Sequence, residues 1–205
     1  MGAKDQLEAV AAEVVVCKDC KLHLSRKNAV PGEGPARAEL MFIGEGPGFH
    51  ENEQGKPFVG AAGRFLEELL EGIGMSREEV FIGNVVKCRP PGNRDPEQQE
   101  IEACAKYLER QIDAIDPKVI ITLGRFSMAR YFPDAKISRI HGQPAEIDGR
   151  LIVPMFHPAA ALHQPSLREV VEADFAKLPA LIAGEASVQE AEDAPPSNPE
   201  QLSLF

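Results

Sequence analysis

Residues 40–48, Leu-Met-Phe-Ile-Gly-Glu-Gly-Pro-Gly, constrain the fold more than any other stretch of this chain. The apolar run ends at a Gly-x-Gly-x-Gly turn, and apolar residues at helical spacing follow at 64–72. This order predicts a strand, a tight turn that holds a ligand against its backbone, and then a helix. A dinucleotide site is the ordinary interpretation of such a turn. Two features argue against it: Pro47 removes a backbone donor, and no acidic residue ends the next predicted strand, 80–84.

The rest of the chain continues as alternating strands and helices. Strands are predicted at 40–43, 80–84, 119–123 and 151–155, helices at 5–16, 64–72, 97–115, 125–132 and 167–182, and a loop or hairpin at 136–149. We expect Asp95 to cap the helix that begins beside it, with Pro96 in its first position. This alternation predicts an α/β fold with a parallel sheet, helices on both faces, and a ligand site beyond the carboxyl ends of the strands.

Composition limits the number of domains and the class of protein. With 205 residues, the chain is expected to form one domain at 1–183, followed by an acidic tail at 184–205 that is predicted to be disordered. No apolar run is long enough to span a bilayer and no signal peptide is evident, so we expect a cytoplasmic protein with no membrane contact. The formal net charge of -10 argues against a generic nucleic-acid binder, so any such contact requires a local patch.

Four cysteines occur in a pattern that predicts a metal site. Cys17 and Cys20 form a Cys-x-x-Cys pair, Cys88 follows the second predicted strand, and Cys104 lies on the helix at 97–115. In a reducing compartment such cysteines are expected to be metal ligands or buried thiols rather than disulfides. Four sulfur ligands suit either tetrahedral zinc or an iron-sulfur cluster, and the ligand count does not distinguish the two. Four unrelated buried cysteines are the remaining alternative.

Two polar residues follow predicted strands and are candidates for binding chemistry. Asn84 ends the second strand, and its amide presents donors and an acceptor in one plane, which suits the edge of a flat heterocycle. His157 follows the fourth strand and can donate a hydrogen bond to an oxygen that gains negative charge. The alternatives are an ordinary turn-forming asparagine and an isolated loop histidine. Because several strand ends converge at this edge, we favour the functional interpretation.

Five sets of residues stand out along the chain between positions 17 and 159. They are Gly-Glu-Gly-Pro-Gly at 44–48, Pro-Phe-Val-Gly at 57–60, Asn-Val-Val-Lys-Cys-Arg-Pro-Pro-Gly-Asn at 84–93, the four cysteines, and His-Pro-Ala at 157–159. Together they resemble the family 4 uracil-DNA glycosylases. The resemblance implies a three-layer α/β/α sandwich with a central four-stranded parallel sheet. It also implies a 4Fe-4S cluster held by Cys17, Cys20, Cys88 and Cys104.

The same resemblance implies a monomeric DNA repair enzyme that acts on uracil-containing single- or double-stranded DNA. Such an enzyme flips uracil out of the stack and hydrolyses its N-glycosidic bond, leaving an abasic site. Phe58 would stack on the pyrimidine, and Asn84 would donate to uracil O4 and accept from N3–H. Cytosine has the opposite hydrogen-bonding pattern and would be rejected. His157 would donate to uracil O2 as the base leaves.

The residue that activates water is left open among several candidates. Relatives in other families of the superfamily carry Asp inside the first turn, where this chain has Gly46. Glu45, with the Gly46 backbone, would position or activate the water that attacks C1′ of the sugar. Glu51 and Asn93 are further candidates, and Glu51 or its neighbours would also form the wall that excludes the methyl group of thymine.

Contacts with DNA are expected from a few residues around the same crevice. Lys87, Arg89 and Arg94 would contact the DNA backbone, and Leu162 or His163 would enter the gap that the flipped base leaves. The last five residues, from Gln201 to Phe205, resemble the peptide that docks on the bacterial sliding clamp.

Two alternatives from other functional classes remain. The first is a non-catalytic or covalently trapping iron-sulfur protein that binds uracil-DNA; an Arg-Ile-His triplet ending at His141 resembles the trapping motif but lies elsewhere in the chain. The second is a zinc protein with a nucleotide-binding α/β fold.

Overall fold

A computed structural model describes residues 2–184 of the chain. The helices are α1 (Ala3–Val16), α2 (Phe49–Gln54), α3 (Ala61–Gly72), α4 (Gln98–Ile115), α5 (Arg125–Ala129), α6 (Ile137–Ile140), α7 (Pro158–His163), α8 (Ser166–Phe175) and α9 (Leu178–Ile182). The strands are β1 (Leu40–Gly44), β2 (Phe81–Asn84), β3 (Val119–Leu123), β4 (Ala145–Ile147) and β5 (Arg150–Met155). Short 3-10 turns lie at Lys21–Leu24, Arg77–Glu79 and Pro91–Asn93. The predicted tail and its ending from Gln201 to Phe205 lie outside the described residues.

The strands form one sheet in the order β2-β1-β3-β5-β4. β1 is parallel to β2 and β3, and β3 is parallel to β5, which confirms the predicted parallel sheet. β4 adds a fifth strand, antiparallel to β5 at the sheet edge. The two strands are joined by Asp148 and Gly149, whose φ angles of 51° and 74° are typical of a two-residue hairpin turn. The expected loop or hairpin at 136–149 therefore ends in a hairpin.

The sheet is covered by helices on both faces. In β1, Leu40 and Phe42 belong to a core that includes residues of α3, α8 and α9. The intervening residues, Met41 and Ile43, belong to a second core with residues of α1 and α4. Because successive side chains of a strand point to opposite faces, these two cores lie on opposite sides of the sheet. The three-layer α/β/α architecture is confirmed.

The predicted helices differ from the observed ones at several points, and the one predicted at 125–132 ends at Ala129. Glu97, not Asp95, is the N-cap of α4, because the Glu100 carboxylate accepts a hydrogen bond from the Glu97 N–H at 2.8 Å. The side chain of Asp95 pairs instead with Arg125. The predicted helix at 167–182 is divided into α8 and α9, since Pro179 has no N–H with which to continue the helix.

The parallel strands all point their carboxyl ends toward one edge of the sheet. Gly44 and Asn84 are the last residues of β1 and β2, Gly124 follows β3, and His157 lies two residues after β5. The turn after β1, the loop after β2 and the start of α7 are thereby brought together. No helix within residues 2–184 is long and apolar enough to cross a membrane.

Candidate active site

An open cavity of about 370 Å³ lies at the carboxyl ends of the strands. Its lining includes nine residues that the sequence indicates as binding or catalytic candidates: Glu45, Gly46, Glu51, Phe58, Asn84, Asn93, Arg94, His157 and His163. These side chains come from four separate stretches of the chain, so the cavity is a product of the fold and not of one motif. The remaining lining residues are Pro47, Gly48, Ala62, Pro90, Ala159 and Ala160.

The Asn84 side chain lies at the floor of this cavity with its hydrogen-bonding capacity unused. The residue is 1% exposed, and neither its Oδ1 nor its Nδ2 has a hydrogen-bond partner within the described part of the chain. A buried amide without partners costs stability, and such groups are rare in folded proteins. An unpaired donor and acceptor facing a cavity therefore indicate a site built for a ligand with the complementary pair.

Gly44 makes room for this amide, a role that the sequence analysis did not assign. A Cβ atom on Gly44 would lie 2.5 Å from Asn84 Oδ1 and 2.8 Å from the Phe58 ring. Both distances are too short for real contacts, so a side chain at position 44 would displace the two residues predicted to bind the base. Glycine is required at the end of β1 because the Asn84 amide and the Phe58 ring lie so close to its backbone.

Phe58 is held in a strained backbone conformation by contacts on both sides of its loop. Its φ of 51° lies in the left-handed region, which non-glycine residues rarely adopt. The Arg77 guanidinium donates to the Phe58 carbonyl at 2.8 Å and also to the Pro57 carbonyl. Gly63 lets α3 approach closely, because a Cβ there would lie 1.9 Å from the Phe58 oxygen. Sequence reasoning missed Arg77 and Gly63, whose contacts with residue 58 are tertiary.

Glu51 secures the other side of the same loop. Its Oε1 accepts hydrogen bonds from the backbone N–H groups of Val59 and Gly60, both at 2.9 Å. Its Oε2 accepts from the Gly48 N–H at 3.1 Å. The carboxylate thus joins the turn after β1 to the loop that carries Phe58. It lines the cavity, as predicted for a wall residue, but both of its oxygens are engaged by the backbone.

His157 is the N-cap of α7 and is uncharged at neutral pH. Its Nδ1 accepts a hydrogen bond from the Ala159 N–H at 3.1 Å, so the ring proton resides on Nε2. Burial lowers the pKa of His157 to about 4, although the nearby Glu51 carboxylate opposes the shift. The geometry and the pKa together provide a neutral hydrogen-bond donor in the cavity.

Glu45 is half-buried at the cavity, directly after β1. Burial raises the pKa of its carboxyl, the Asp95 carboxylate raises it further, and the Arg125 guanidinium acts in the opposite direction. Gly46 beside it has no room for a side chain, since a Cβ would lie 2.7 Å from Val86 Cγ2. Position 46 therefore cannot supply a carboxyl, and Glu45 is the cavity-lining acid that directly follows β1.

The Lys87 side chain is buried, and the predicted contact of Lys87 with DNA is wrong. The residue is 1% exposed, and its Nζ donates to Gln111 Oε1 at 2.6 Å in the interior. Burial lowers the pKa of this ammonium to about 8. Neither its exposure nor its direction allows it to contact a phosphate.

The other predicted DNA-contacting residues lie in the segment between β2 and α4 and on α7. Arg89 is partly exposed and its Nε donates to Asn93 Oδ1 at 2.7 Å. Arg94 lines the cavity, but its guanidinium holds both carboxylate oxygens of the buried Glu100, at 2.9 and 2.7 Å. Leu162, on α7, is 43% exposed.

The four cysteines line one buried space next to α1 and α4. Their neighbours there include Val14, Arg26 and Tyr107. The Arg26 guanidinium lies 3.1 Å from Cys88 Sγ, and the Lys87 backbone N–H lies 3.3 Å from Cys104 Sγ. Burial raises the pKa of Cys20 and Cys88, and raises that of Cys104 to about 11. Within residues 2–184, no three side chains of His, Cys, Asp or Glu are grouped to hold a metal ion.

His141, from the triplet that resembles the trapping motif, lies apart from the cavity. Its Nδ1 is 2.6 Å from Oδ2 of the buried Asp174, and its ring packs 4.8 Å from the ring of Phe156. These contacts join α6 to α8 and give His141 a structural position.

Comparison with known proteins places the chain in one family. A sequence profile of the Uracil DNA glycosylase superfamily matches residues 31–178. The chain is 50% identical over 187 residues to the Type-4 uracil-DNA glycosylase of Sulfurisphaera tokodaii, covering 85% of this chain and 84% of the relative. It is 52% identical over 184 residues to that of Saccharolobus solfataricus, covering 85% of each. It is 45% identical over 183 residues to that of Archaeoglobus fulgidus, covering 85% of this chain and 92% of the relative. The chain belongs to the type-4 uracil-DNA glycosylases.

Proposed function

We propose that this DNA repair enzyme recognises uracil through Asn84 and stacks it on Phe58. The observation that carries the proposal is the Asn84 amide, which is buried at the cavity with both polar atoms unpaired. Uracil offers an acceptor at O4 and a donor at N3. Together these would satisfy the Nδ2 donor and the Oδ1 acceptor of the Asn84 amide. Cytosine offers an amino group and an unprotonated ring nitrogen at the same positions, so it would leave two repulsive contacts in a buried site.

His157 is the group that stabilises the departing base. Cleavage of the bond between C1′ and N1 leaves the electron pair on the uracil ring, where O2 carries part of the negative charge. The neutral imidazole, with its proton on Nε2, donates to this oxygen as charge develops. The Ala159 N–H fixes the tautomer, so the ring need not reorganise during the reaction.

Glu45 is the group that directs water to the sugar. The new bond joins the water oxygen to C1′, and the proton of that water passes to the carboxylate. A raised pKa makes Glu45 a better proton acceptor than an exposed carboxylate. Glu51 acts indirectly, by holding the loop of Phe58. Asn93 lines the cavity beside Arg89 and assists in placing the substrate.

The target base reaches this cavity by leaving the DNA stack. Arg89 contacts the DNA backbone, and Leu162 or His163 fills the space of the flipped base, since both lie on α7 and His163 lines the cavity. Arg94 supports the cavity wall through Glu100, which leaves few of its donors for phosphate.

Cys17, Cys20, Cys88 and Cys104 hold a 4Fe-4S cluster in this proposal. The four thiols line one space, and N–H donors already point at two of their sulfurs, an arrangement that favours thiolate ligands. When bound, the cluster would supply a cross-link between α1, the loop after β2 and α4. Iron and sulfide analysis with visible absorption tests this, since a colourless preparation with zinc would exclude it.

The test of the activity uses uracil in a defined strand. The purified protein is incubated with labelled single- and double-stranded oligonucleotides that carry one uracil, and then with alkali. Hydrolysis predicts strand scission at the uracil position and none in matched strands with cytosine or thymine there. A protein–DNA species stable to denaturant without scission would indicate the trapping alternative. Binding with neither product would indicate a non-catalytic protein.

Three wider features belong to the same proposal. A repair enzyme acts where the genome lies, which in a bacterial or archaeal cell is the cytoplasm. A monomer is expected, and sedimentation tests it. The ending from Gln201 to Phe205 would tether the enzyme to a sliding clamp, and its deletion tests that contact.

A further inference from the structure

Phe49 presents an exposed aromatic ring at the edge of the cavity. It is the first residue of α2 and follows Gly48, which lines the cavity. The residue is 53% exposed, and among the exposed large apolar side chains of residues 2–184 it is the aromatic one. The core on either face of the sheet does not require it. An exposed aromatic ring beside a nucleic-acid site can serve as a stacking surface for a base.

The ring of Phe49 is held in place by neighbours from two directions. The Arg89 guanidinium lies 5.3 Å from the ring centroid, and the His50 ring contacts it edge-on with centroids 5.4 Å apart. Arg89 in turn donates to Asn93 Oδ1, and Asn93 lines the cavity. The rim therefore carries a fixed aromatic surface and a cation side by side.

We propose that Phe49 and Arg89 form a subsite for the nucleotide next to the flipped uracil, with the base on the exposed part of the Phe49 ring and the phosphate on Arg89. The inference rests on the proposed function, because it places the neighbouring nucleotide from the position of uracil. Aromatic side chains stack on any base, and arginine supplies the charge for the backbone.

The subsite favours single-stranded DNA. When uracil leaves the stack, its neighbours lose a stacking partner. In a duplex a neighbouring base stays paired with the other strand, whereas in a single strand it is free to move onto the ring. Removal of the ring is therefore expected to weaken the binding of single-stranded substrates more than that of double-stranded ones.

Steady-state kinetics of Phe49→Ala on both forms of the same uracil strand test this directly. The expected result is a rise in KM of about tenfold for the single strand and of less than about threefold for the duplex, with kcat little changed, because stacking binds ground state and transition state alike. Leu24→Ala is the matched control, since Leu24 is 77% exposed and lies away from the cavity. Equal KM values for Phe49→Ala and Leu24→Ala on the single strand would overturn the inference.

A second variant separates stacking from catalysis. The chain contains no Trp, so Phe49→Trp introduces a single indole at the proposed subsite. Titration with a single-stranded oligonucleotide that carries an abasic-site analogue is expected to quench its emission. Binding of the oligonucleotide is monitored separately by fluorescence anisotropy of a label on the DNA. If the oligonucleotide binds and the indole emission stays unchanged, the proposed subsite is overturned. Absence of uracil excision by the wild-type protein would instead overturn the proposed function.

Discussion

The rings of Phe58 and His157 lie 5.5 Å apart, centroid to centroid, and are inclined by 25°. Phe58 precedes α3 and His157 follows β5, so the contact joins residues that are about one hundred positions apart in the chain. In the proposed function these are the ring under the base and the hydrogen-bond donor to O2 of the departing uracil. Their contact fixes one relative to the other before substrate binds, which is the preorganisation that catalysis requires.

Gly44→Ala is expected to abolish uracil excision without unfolding the protein. A methyl group at this position would push against Asn84 Oδ1 and the Phe58 ring, at 2.5 and 2.8 Å. Single-turnover excision measures the loss, which we expect to be at least about a hundredfold. Gly72→Ala is the control, because nothing lies within 4 Å of its Cβ position. Full activity in Gly44→Ala would mean that the amide and ring need not hold these positions.

Asn84→Leu is expected to stabilise the fold and to remove activity. The unpaired amide costs about 1–3 kcal/mol, so a leucine of similar shape should raise the melting temperature by about 2–12 °C. Asn52→Leu should do the reverse, because Asn52 is also buried but its Oδ1 accepts from the Lys27 N–H at 2.8 Å. Thermal unfolding and excision are measured together. A variant that is destabilised and still excises uracil would count against the role of Asn84.

The pH dependence of the excision rate should reflect the ionisation of the Glu45 carboxyl. Its pKa is raised above the ordinary 4.5, so the rate should fall as the pH falls through that raised value. Burial lowers the pKa of His157 to about 4, so protonation of the imidazole is expected at lower pH than that of Glu45. Asp95→Asn should move the acid limb to lower pH by removing a negative neighbour. An acid limb that stays in place in Asp95→Asn, or that persists in Glu45→Gln, would assign it to another group.

The same carboxyl should affect stability with a definite sign. A raised pKa means that folding favours the protonated form. Ionised Glu45 therefore lowers stability, and the loss grows as the pH rises from about 4.5 through the raised pKa. Glu45→Gln should be more stable than the wild type at pH 7, and urea unfolding at pH 4 and pH 7 measures the difference.

Lys87→Met should leave the electrostatics of DNA binding unchanged, because the ammonium is bound to Gln111 in the interior. The logarithm of the binding constant should fall with the logarithm of salt concentration at the wild-type slope. Arg89→Ala should reduce that slope by about one, as for a lost phosphate contact. A reduced slope in Lys87→Met would restore the predicted contact with DNA.

Most of the fold and much of the site could be predicted from the spacing of apolar residues and from the polar residues that follow the predicted strands. The apolar runs of the parallel strands predicted the sheet, and the placement of Asn84 and His157 after strands predicted that they share a cavity. The rule that parallel strands end at the same edge is sufficient for both. Asp148 and Gly149 also carry the signal of the hairpin that forms the fifth strand.

What the sequence did not predict depends on the direction of side chains. Lys87 lies in a motif that lines the cavity, yet its own side chain points inward, and no local pattern distinguishes the two. Arg77 and Gly63 support Phe58 through contacts that exist only once α3 and the loop before it are packed. Asp95 was predicted as a helix cap from local chemistry, but Arg125 competes for its carboxylate.

The central claim is that the Asn84 amide reads the edge of uracil, and a crystal structure with uracil and an abasic strand tests it most directly. The account predicts uracil stacked on Phe58, with O4 and N3 each within about 2.7–3.2 Å of the Asn84 amide and O2 facing Nε2 of His157. Uracil bound elsewhere, or an Asn84 amide that remains without partners in the complex, would contradict it.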